Sequence, residues 1–153
     1  MVRALDLASP LLRWFLSPDG ATLSGSQFTL QEAVMEPLRE GQRIVKNIHA
    51  AEFSSYQAND DPRPGQSVLQ LDDSAPLARS FFVFRMEPGA VSVAHVHDRG
   101  EHFFIIEGDL HDHDGYEYKA GDLVYLRPGT VHNSTTKNGC TLVAYLESAQ
   151  LIE

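Results

Sequence analysis

The chain has 153 residues, 42% of them apolar and 22% charged, so it is long enough to form one globular domain with its own core. The chain has 12 basic and 21 acidic residues, and the resulting net charge of −9 disfavours binding to nucleic acid or to an anionic membrane surface. A single cysteine, Cys140, excludes an intrachain disulfide and a CxxC zinc motif. No apolar run is long enough to span a membrane, and a cytoplasmic location is expected.

The first 60 residues are predicted to form an N-terminal arm with one or two short helices. Ser9-Pro10 is typical of a helix start, with proline at the first helical position, and a turn sequence at 17–20 ends that segment. Residues 29–32 have the sequence Thr-Leu-Gln-Glu, a capping box that begins a second helix. The segment NDDPRPG at 59–65 is predicted to be a loop between this arm and a barrel domain at 61–153.

After residue 65, apolar and polar residues alternate with a period of two, and a turn sequence follows each alternating segment. The expected strands span residues 67–71, 79–86, 91–97, 102–110, 123–126 and 141–146. Short strands with this spacing indicate a β-sandwich or a barrel. A parallel nucleotide-binding sheet is disfavoured because the βαβ rhythm of such sheets is absent.

Histidine is concentrated in one part of the sequence. Five of the seven histidines lie between His95 and His113, and two of them form the sequence His-Val-His. Side chains two positions apart on a strand point to the same face, so His95 and His97 should project together. A His-x-His sequence alone is weak evidence, since it also occurs on solvated strand edges.

Two further residues make a metal site the better interpretation. A turn at 98–100 allows Glu101, at the start of the next strand, to return beside the two histidines. His132 follows a turn sequence at 127–131 and enters another strand. Three imidazoles and one carboxylate inside a small barrel are suited to a first-row transition metal.

The spacing of these residues resembles the first sequence motif of the cupin superfamily, G(x)5HxH(x)3E(x)6G. The segment PGAVSVAHVHDRGEHFFIIEG matches the motif at every fixed position, from Gly89 to Gly108. Both glycines also have a physical role, because Gly89 follows Pro88 in a turn and Gly108 permits a bend in the strand that leaves the site.

The second cupin motif, G(x)5PxG(x)2H(x)3N, is matched in part. Gly121, Gly129 and His132 are present. Arg127 stands where proline is usual and Thr136 where asparagine is usual. Because that proline and asparagine shape the turn and the strand, the assignment of His132 as a ligand is unaffected.

The resemblance covers residues 66–148 and implies an all-β fold, a double-stranded β-helix (jelly-roll) barrel, to which the short helical arm is attached. It implies that one divalent transition metal is bound, with Fe(II) favoured and Zn, Mn, Ni or Cu as alternatives. The implied ligands are His95, His97, Glu101 and His132. Many cupins form dimers, so a homodimer is expected.

Residues 101–140 are most similar to the cupin domain of zinc anti-sigma factors and to related dioxygenases of β-diketones and hydroxy-ketones. The HxxxCxxC motif of the sigma-binding module is absent. The resemblance therefore implies a non-haem Fe(II) dioxygenase that acts on a small chelating organic substrate. A non-catalytic zinc-binding sensor module and a metal-dependent isomerase or lyase are the alternatives. Phe103 stands where the lyases of dimethylsulfoniopropionate have a tyrosine, which disfavours lyase activity.

Two polar residues are predicted to contact the substrate and are the candidate catalytic residues. Arg85 interrupts the apolar segment FFVFRM, where a charge needs a partner, and Tyr125 lies in a later strand. Apolar side chains with the same strand parity as the ligands are expected to line a dry pocket. These side chains are Val91, Val93, Phe103 and Ile105.

The remaining histidines and the cysteine are predicted to lie outside the metal site. His102 follows a ligand on a strand and should point to the opposite face. His111 and His113 form a second His-x-His sequence in an acidic, turn-rich segment, which indicates a solvated hairpin tip. Cys140 is expected to be a small buried residue.

Overall fold

The computed structural model describes residues 36–152, which form strands, turns and bends without a helix. Within this range no helix is long and apolar enough to cross a membrane. The two helices predicted for the N-terminal arm begin at positions outside the described residues.

The described residues contain 11 strands. Their bounds are β1 Ser54–Ala58, β2 Asp61–Gln70, β3 Ser80–Met86, β4 His95–His97, β5 Glu101–Asp112, β6 Glu117–Lys119, β7 Leu123–Leu126, β8 Val131–His132, β9 Ser134–Thr135, β10 Cys140–Leu146 and β11 Ala149–Leu151.

The strands form two antiparallel sheets. The larger sheet has eight strands in the order β1-β2-β3-β10-β5-β6, and β7 and β9 also pair with β5. The smaller sheet has three strands in the order β11-β4-β8. This arrangement confirms the predicted all-β jelly-roll fold for the described residues. β1, which precedes the predicted domain boundary at residue 60, is the edge strand of the larger sheet.

The segment at 59–65 is not the loop that its prolines predicted. Asn59 and Asp60 have φ values of 51° and 62°, as a two-residue type I′ hairpin turn requires, and they join β1 directly to β2. β2 then continues through Pro62 and Pro64. Proline is tolerated here because β3 pairs only with residues 66–70, so this half of β2 has a single neighbouring strand.

β5 is the longest strand, and it bends at Gly108. Before the bend it pairs with β10 and β7, and after the bend it pairs with β6 and β9. Gly108 has a φ of 85°, and a Cβ atom there would lie 1.9 Å from the carbonyl oxygen of Gly139. The close approach of these two backbones therefore requires glycine at position 108.

The core consists of apolar side chains from the strands of the larger sheet. Ile105 is fully buried, and removing a side chain of this size from water stabilises the fold by about 1.5–3 kcal/mol. Other buried members of the core are Val68, Phe82, Phe103, Leu110, Leu142 and Leu146. These side chains support the strands that carry the candidate site.

Candidate metal centre

Four side chains from both sheets converge, and we call them the four-residue cluster: His95, His97, Glu101 and His132. β4 carries His95 and His97, and its pairing with β8 places His95 directly opposite His132. Glu101 is the first residue of β5. One possible ligand atom from each side chain lies within 4.8 Å of the others. The structure thus brings together all four predicted ligands, and they could bind one divalent metal ion.

The ligand atoms of the cluster face one another. Nε2 of His97 lies 2.9 Å from Nε2 of His132. Oε2 of Glu101 lies 3.5 Å from the first nitrogen and 3.9 Å from the second. Such a concentration of nitrogen and carboxylate lone pairs in a buried place fits a first-row transition metal.

Hydrogen bonds orient two of the three imidazoles. Nδ1 of His95 donates to the carbonyl oxygen of Val93 at 2.8 Å, and Nδ1 of His132 donates to Asp112 at 3.1 Å. Because both acceptors are oxygens, each Nδ1 carries the proton and each Nε2 is left with a free lone pair. His97 has no exposed surface, and its Nδ1 has no hydrogen-bond partner within residues 36–152. Packing and the contacts of its Nε2 with His132 and Glu101 therefore hold the third ring.

Burial shifts the titration of the cluster in the metal-free protein. Burial lowers the pKa of His95, and burial together with the two neighbouring imidazoles lowers the pKa of His97 to about 3. Burial raises the pKa of Glu101 to about 7. These two imidazoles are therefore neutral and ready to bind a metal at neutral pH, whereas Glu101 would release its proton when a dication binds.

The cluster opens into an apolar cavity of about 100 Å³. Of the four residues, His95, Glu101 and His132 reach its wall. Much of the remaining wall is aromatic or aliphatic and includes Phe82, Phe84, Phe103, Leu110, Leu142 and Leu146. This volume is smaller than the roughly 150 Å³ of an apolar cavity that can hold benzene, so it suits only a compact organic molecule or one part of a longer one.

Arg85 and Tyr125 are predicted to contact the substrate, but neither of them lines this cavity. Phe82 and Phe84 point into the cavity, so strand alternation directs Arg85 to the other face of β3. There its guanidinium donates to the carbonyl oxygen of Ile48 at 2.9 Å and lies 3.8 Å from the ring centre of Phe53.

Tyr125 lies on an outer face as well. It is 49% exposed, and its ring stacks on that of His102 with 4.4 Å between the ring centres. His102 is itself exposed, which confirms the prediction that it points away from the cluster.

The predicted apolar wall is correct in part. Val93 and Phe103 line the cavity, and Ile105 is buried in the core without reaching it. Val91 is 51% exposed, because β4 begins only at His95 and Val91 forms an isolated bridge to Thr135 instead. The assignment of Val91 to the pocket wall is therefore wrong.

The other histidines and the cysteine lie outside the cluster. His111 belongs to β5 rather than to the hairpin tip, and its Nε2 lies 2.8 Å from a carboxylate oxygen of Asp109. His113 is exposed in the turn that follows. Cys140 is buried, as predicted, and burial raises the pKa of its thiol to about 12.

Two polar side chains in the cavity wall had no sequence signal. Arg79 precedes β3, and Tyr56 lies in β1. Burial raises the pKa of Tyr56, and the charge of Arg79 partly opposes that effect. Neither residue belongs to a motif, and only the pairing of distant strands brings them to the cavity.

The chain resembles known proteins of the same fold. The family model described as the ChrR cupin-like domain matches residues 42–150. No curated protein sequence matches the chain. A solved structure of an acetylacetone dioxygenase from Acinetobacter johnsonii is 12% identical, with a TM-score of 0.56, and the match covers 78% of this chain and 85% of that one.

Two other solved structures are also similar. The polyketide cyclase RemF from Streptomyces resistomycificus is 17% identical, with a TM-score of 0.54 over 72% of this chain and 87% of that one. A structure of Rhodobacter sphaeroides SigE in complex with the anti-sigma factor ChrR is 14% identical, with a TM-score of 0.50 over 64% of this chain. The chain spans 49% of the matched chain in that complex and 59% of another matched structure. At these identities the likeness shows a shared fold alone.

Proposed function

We propose that this chain, which belongs to the ChrR cupin-like family, is a metal-dependent enzyme, specifically a non-haem Fe(II) dioxygenase acting on a small chelating organic molecule. The observation that supports this proposal is the opening of the four-residue cluster into an apolar cavity of about 100 Å³. A site that only stores or senses a metal has no need for an apolar cavity beside it.

The protein's own residues would hold the metal and control access to it. His95, His97, Glu101 and His132 would provide three neutral nitrogens and one carboxylate, which leaves room on a six-coordinate ion for other ligands. Fe(II) bound there would supply the redox chemistry that O₂ requires. The apolar wall would exclude water from the reacting atoms and would hold the substrate in one orientation.

The size of the cavity favours compact substrates. Acetylacetone, the substrate named for the matched Acinetobacter enzyme, is a small 1,3-diketone, and molecules of this class can chelate a metal through two oxygens. A fused aromatic polyketide would be far larger than the cavity. Small 1,3-dicarbonyls and hydroxy-ketones are therefore the first compounds to test.

Oxygen consumption tests the proposal. The purified chain is stripped of metal, reloaded with Fe(II) or with Zn(II), and mixed with acetylacetone in an oxygen electrode. We expect substrate-dependent O₂ uptake with Fe(II), none with Zn(II), and none with His97→Ala loaded under the same conditions. Absence of uptake with Fe(II) for every 1,3-dicarbonyl and hydroxy-ketone tested would overturn the proposal.

A zinc-binding regulatory module is the second candidate. It is favoured by the match to the ChrR cupin-like model and by a four-donor set that can complete a tetrahedral zinc site. This candidate predicts tight zinc binding, no O₂ uptake with iron, and a protein partner that co-purifies with the zinc form and dissociates from His97→Ala. The oxygen electrode and the purification together distinguish the two functions.

A further inference from the structure

Arg79 is the only lysine or arginine among the described residues that line the cavity. Its guanidinium donates to the carbonyl oxygen of Ala78 at 2.9 Å and to that of Ala149 at 3.2 Å. A guanidinium has more N–H donors than these two bonds use. Donors therefore remain for a ligand in the cavity.

Arg79 forms no close ion pair with a carboxylate of the described residues. None of the salt bridges formed within residues 36–152 includes Arg79. Of the carboxylates at the cluster, Glu101 faces the histidines and Asp112 accepts from His132, and neither forms an ion pair with Arg79. A half-buried guanidinium without an ion-pair partner is available to the negative charge of a ligand.

The backbone around Arg79 is held in a strained conformation. Ala78 and Ser80, on either side of it, have φ values of 55° and 63°, a region that costs a non-glycine residue about 1–3 kcal/mol. The buried side chain of Gln70 fixes this segment, because its Oε1 accepts from the amide of Ala78 at 3.0 Å and its Nε2 donates to the carbonyl of Arg79. The backbone is therefore anchored at Ala78 and at Arg79 itself, and the guanidinium is positioned before any ligand arrives.

We propose that Arg79 binds a carboxylate of the substrate and that the substrate is a small keto acid or diketo acid. One end of the molecule would occupy the metal at the four-residue cluster, and the other end would pair with the guanidinium through charge-assisted hydrogen bonds. The inference that one end of the substrate chelates a metal rests on the proposed function. The inference that the other end is an anion rests on Arg79 alone.

A matched acid and ester test the anion site without any turnover. 4,6-Dioxoheptanoate contains a 1,3-diketone and a carboxylate, and its methyl ester contains the same diketone without the charge. Calorimetric titration of the Zn(II)-loaded protein, which does not react with O₂, should show that the acid binds at least about tenfold more tightly than the ester. Arg79→Gln should bind the acid only as well as the ester, and Arg127→Gln, an exposed arginine outside the cavity, should behave as wild type.

Because Zn(II) can itself attract a carboxylate, an Arg79 variant is needed to assign the preference. If Arg79→Gln does not fold, Arg79→Lys is a charge-retaining variant whose preference for the acid should be smaller than that of the wild type. Equal binding of acid and ester by the wild type, or binding of neither, would overturn the anion site. Equal binding together with Fe(II)-dependent uptake of O₂ on acetylacetone would leave the dioxygenase proposal intact. A strong preference for the acid without any O₂ uptake would overturn the dioxygenase proposal and leave the anion site.

Discussion

Asp112 accepts a hydrogen bond from Nδ1 of His132 at 3.1 Å, so a negative charge lies directly behind one of the candidate ligands. Burial raises the pKa of Asp112, but hydrogen bonds from His132 and Ser134 outweigh this effect and hold the pKa below its ordinary value. Asp112 therefore stays ionised, fixes the tautomer of His132, and increases the electron density on the nitrogen that faces the cluster.

Replacing Asp112 with asparagine should weaken metal binding without removing a ligand. The amide keeps an oxygen that can accept from Nδ1 of His132, but the negative charge is lost. We expect Asp112→Asn to reduce the affinity for Zn(II) by about 10–100-fold. A competition titration against a chromophoric chelator measures the effect.

Asp114→Asn is the matched control, because Asp114 is exposed in the adjacent turn and bonds only to the amide of Tyr116 among the described residues. Its zinc affinity should equal that of the wild type. If Asp112→Asn and Asp114→Asn bind zinc equally well, Asp112 has no part in the metal site.

Glu101 should make the stability of the metal-free protein depend on pH. Its pKa in the folded chain is about 7 against an ordinary value of 4.5, so the folded state holds a proton that the unfolded chain releases. The stabilisation from this proton is fully present below pH 4.5 and is lost as the pH rises to 7. Metal-free Glu101→Gln should lack this loss of stability. Urea unfolding of the wild type and of this variant from pH 4.5 to 7.5 measures the difference in their free energies of unfolding.

His97 acts in the opposite direction, because its pKa of about 3 lies below the ordinary value of 6.5. Its contribution to stability is lost as the pH falls below 6.5. Both proteins share this effect, so it cancels when the unfolding free energies of Glu101→Gln are subtracted from those of the wild type at each pH. If the free energies of unfolding of the two metal-free proteins change in parallel between pH 4.5 and 7.5, the pKa of Glu101 is not raised in the folded chain.

Gly108 should be far less tolerant of alanine than Gly115. Both have a positive φ, 85° and 90°, so both substitutions carry the strain of about 1–2 kcal/mol expected for a left-handed alanine. Only at Gly108 would the new Cβ collide with a backbone, whereas nothing lies within 4 Å at Gly115. Chemical denaturation should therefore show a clearly larger loss for Gly108→Ala, and equal losses would contradict the bend described for β5.

The four candidate ligands were predictable from the sequence because their positions depend on short-range geometry. His95 and His97 share one face of a strand by alternation, and a three-residue turn returns Glu101 to their side. Only His132 depended on a distant segment, and the turn sequence before it indicated where its strand starts. The bounds of β7 were also correct for this reason, since turns precede and follow a short alternating segment.

The residues that line the cavity were not predictable, because both faces of β3 are apolar. Phe81 is 48% exposed and Phe82 is 4% exposed, so alternation within FFVFRM does not indicate which face is interior. The sequence therefore does not reveal that Arg85 lies on the face of β3 opposite the cavity. Arg79 could not be found at all, because its place in the cavity depends on how 70–80 folds against β11.

The prolines at 62 and 64 show a different limit of sequence analysis. Proline indicates a loop when strand pairing is unknown, yet here it lies in the half of β2 that has one neighbouring strand.

The homodimer and the cytoplasmic location stay predictions. Size-exclusion chromatography with light scattering measures the oligomeric state directly.

The central claim is that one divalent metal binds at His95, His97, Glu101 and His132. Elemental analysis of protein purified without chelator or nickel resin tests it in three forms: the wild type, His97→Ala, and the double variant His111→Gln with His113→Gln. We expect about one metal per chain in the wild type and in the double variant, and almost none in His97→Ala. A His97→Ala protein that keeps its metal, or a double variant that loses it, would contradict this account.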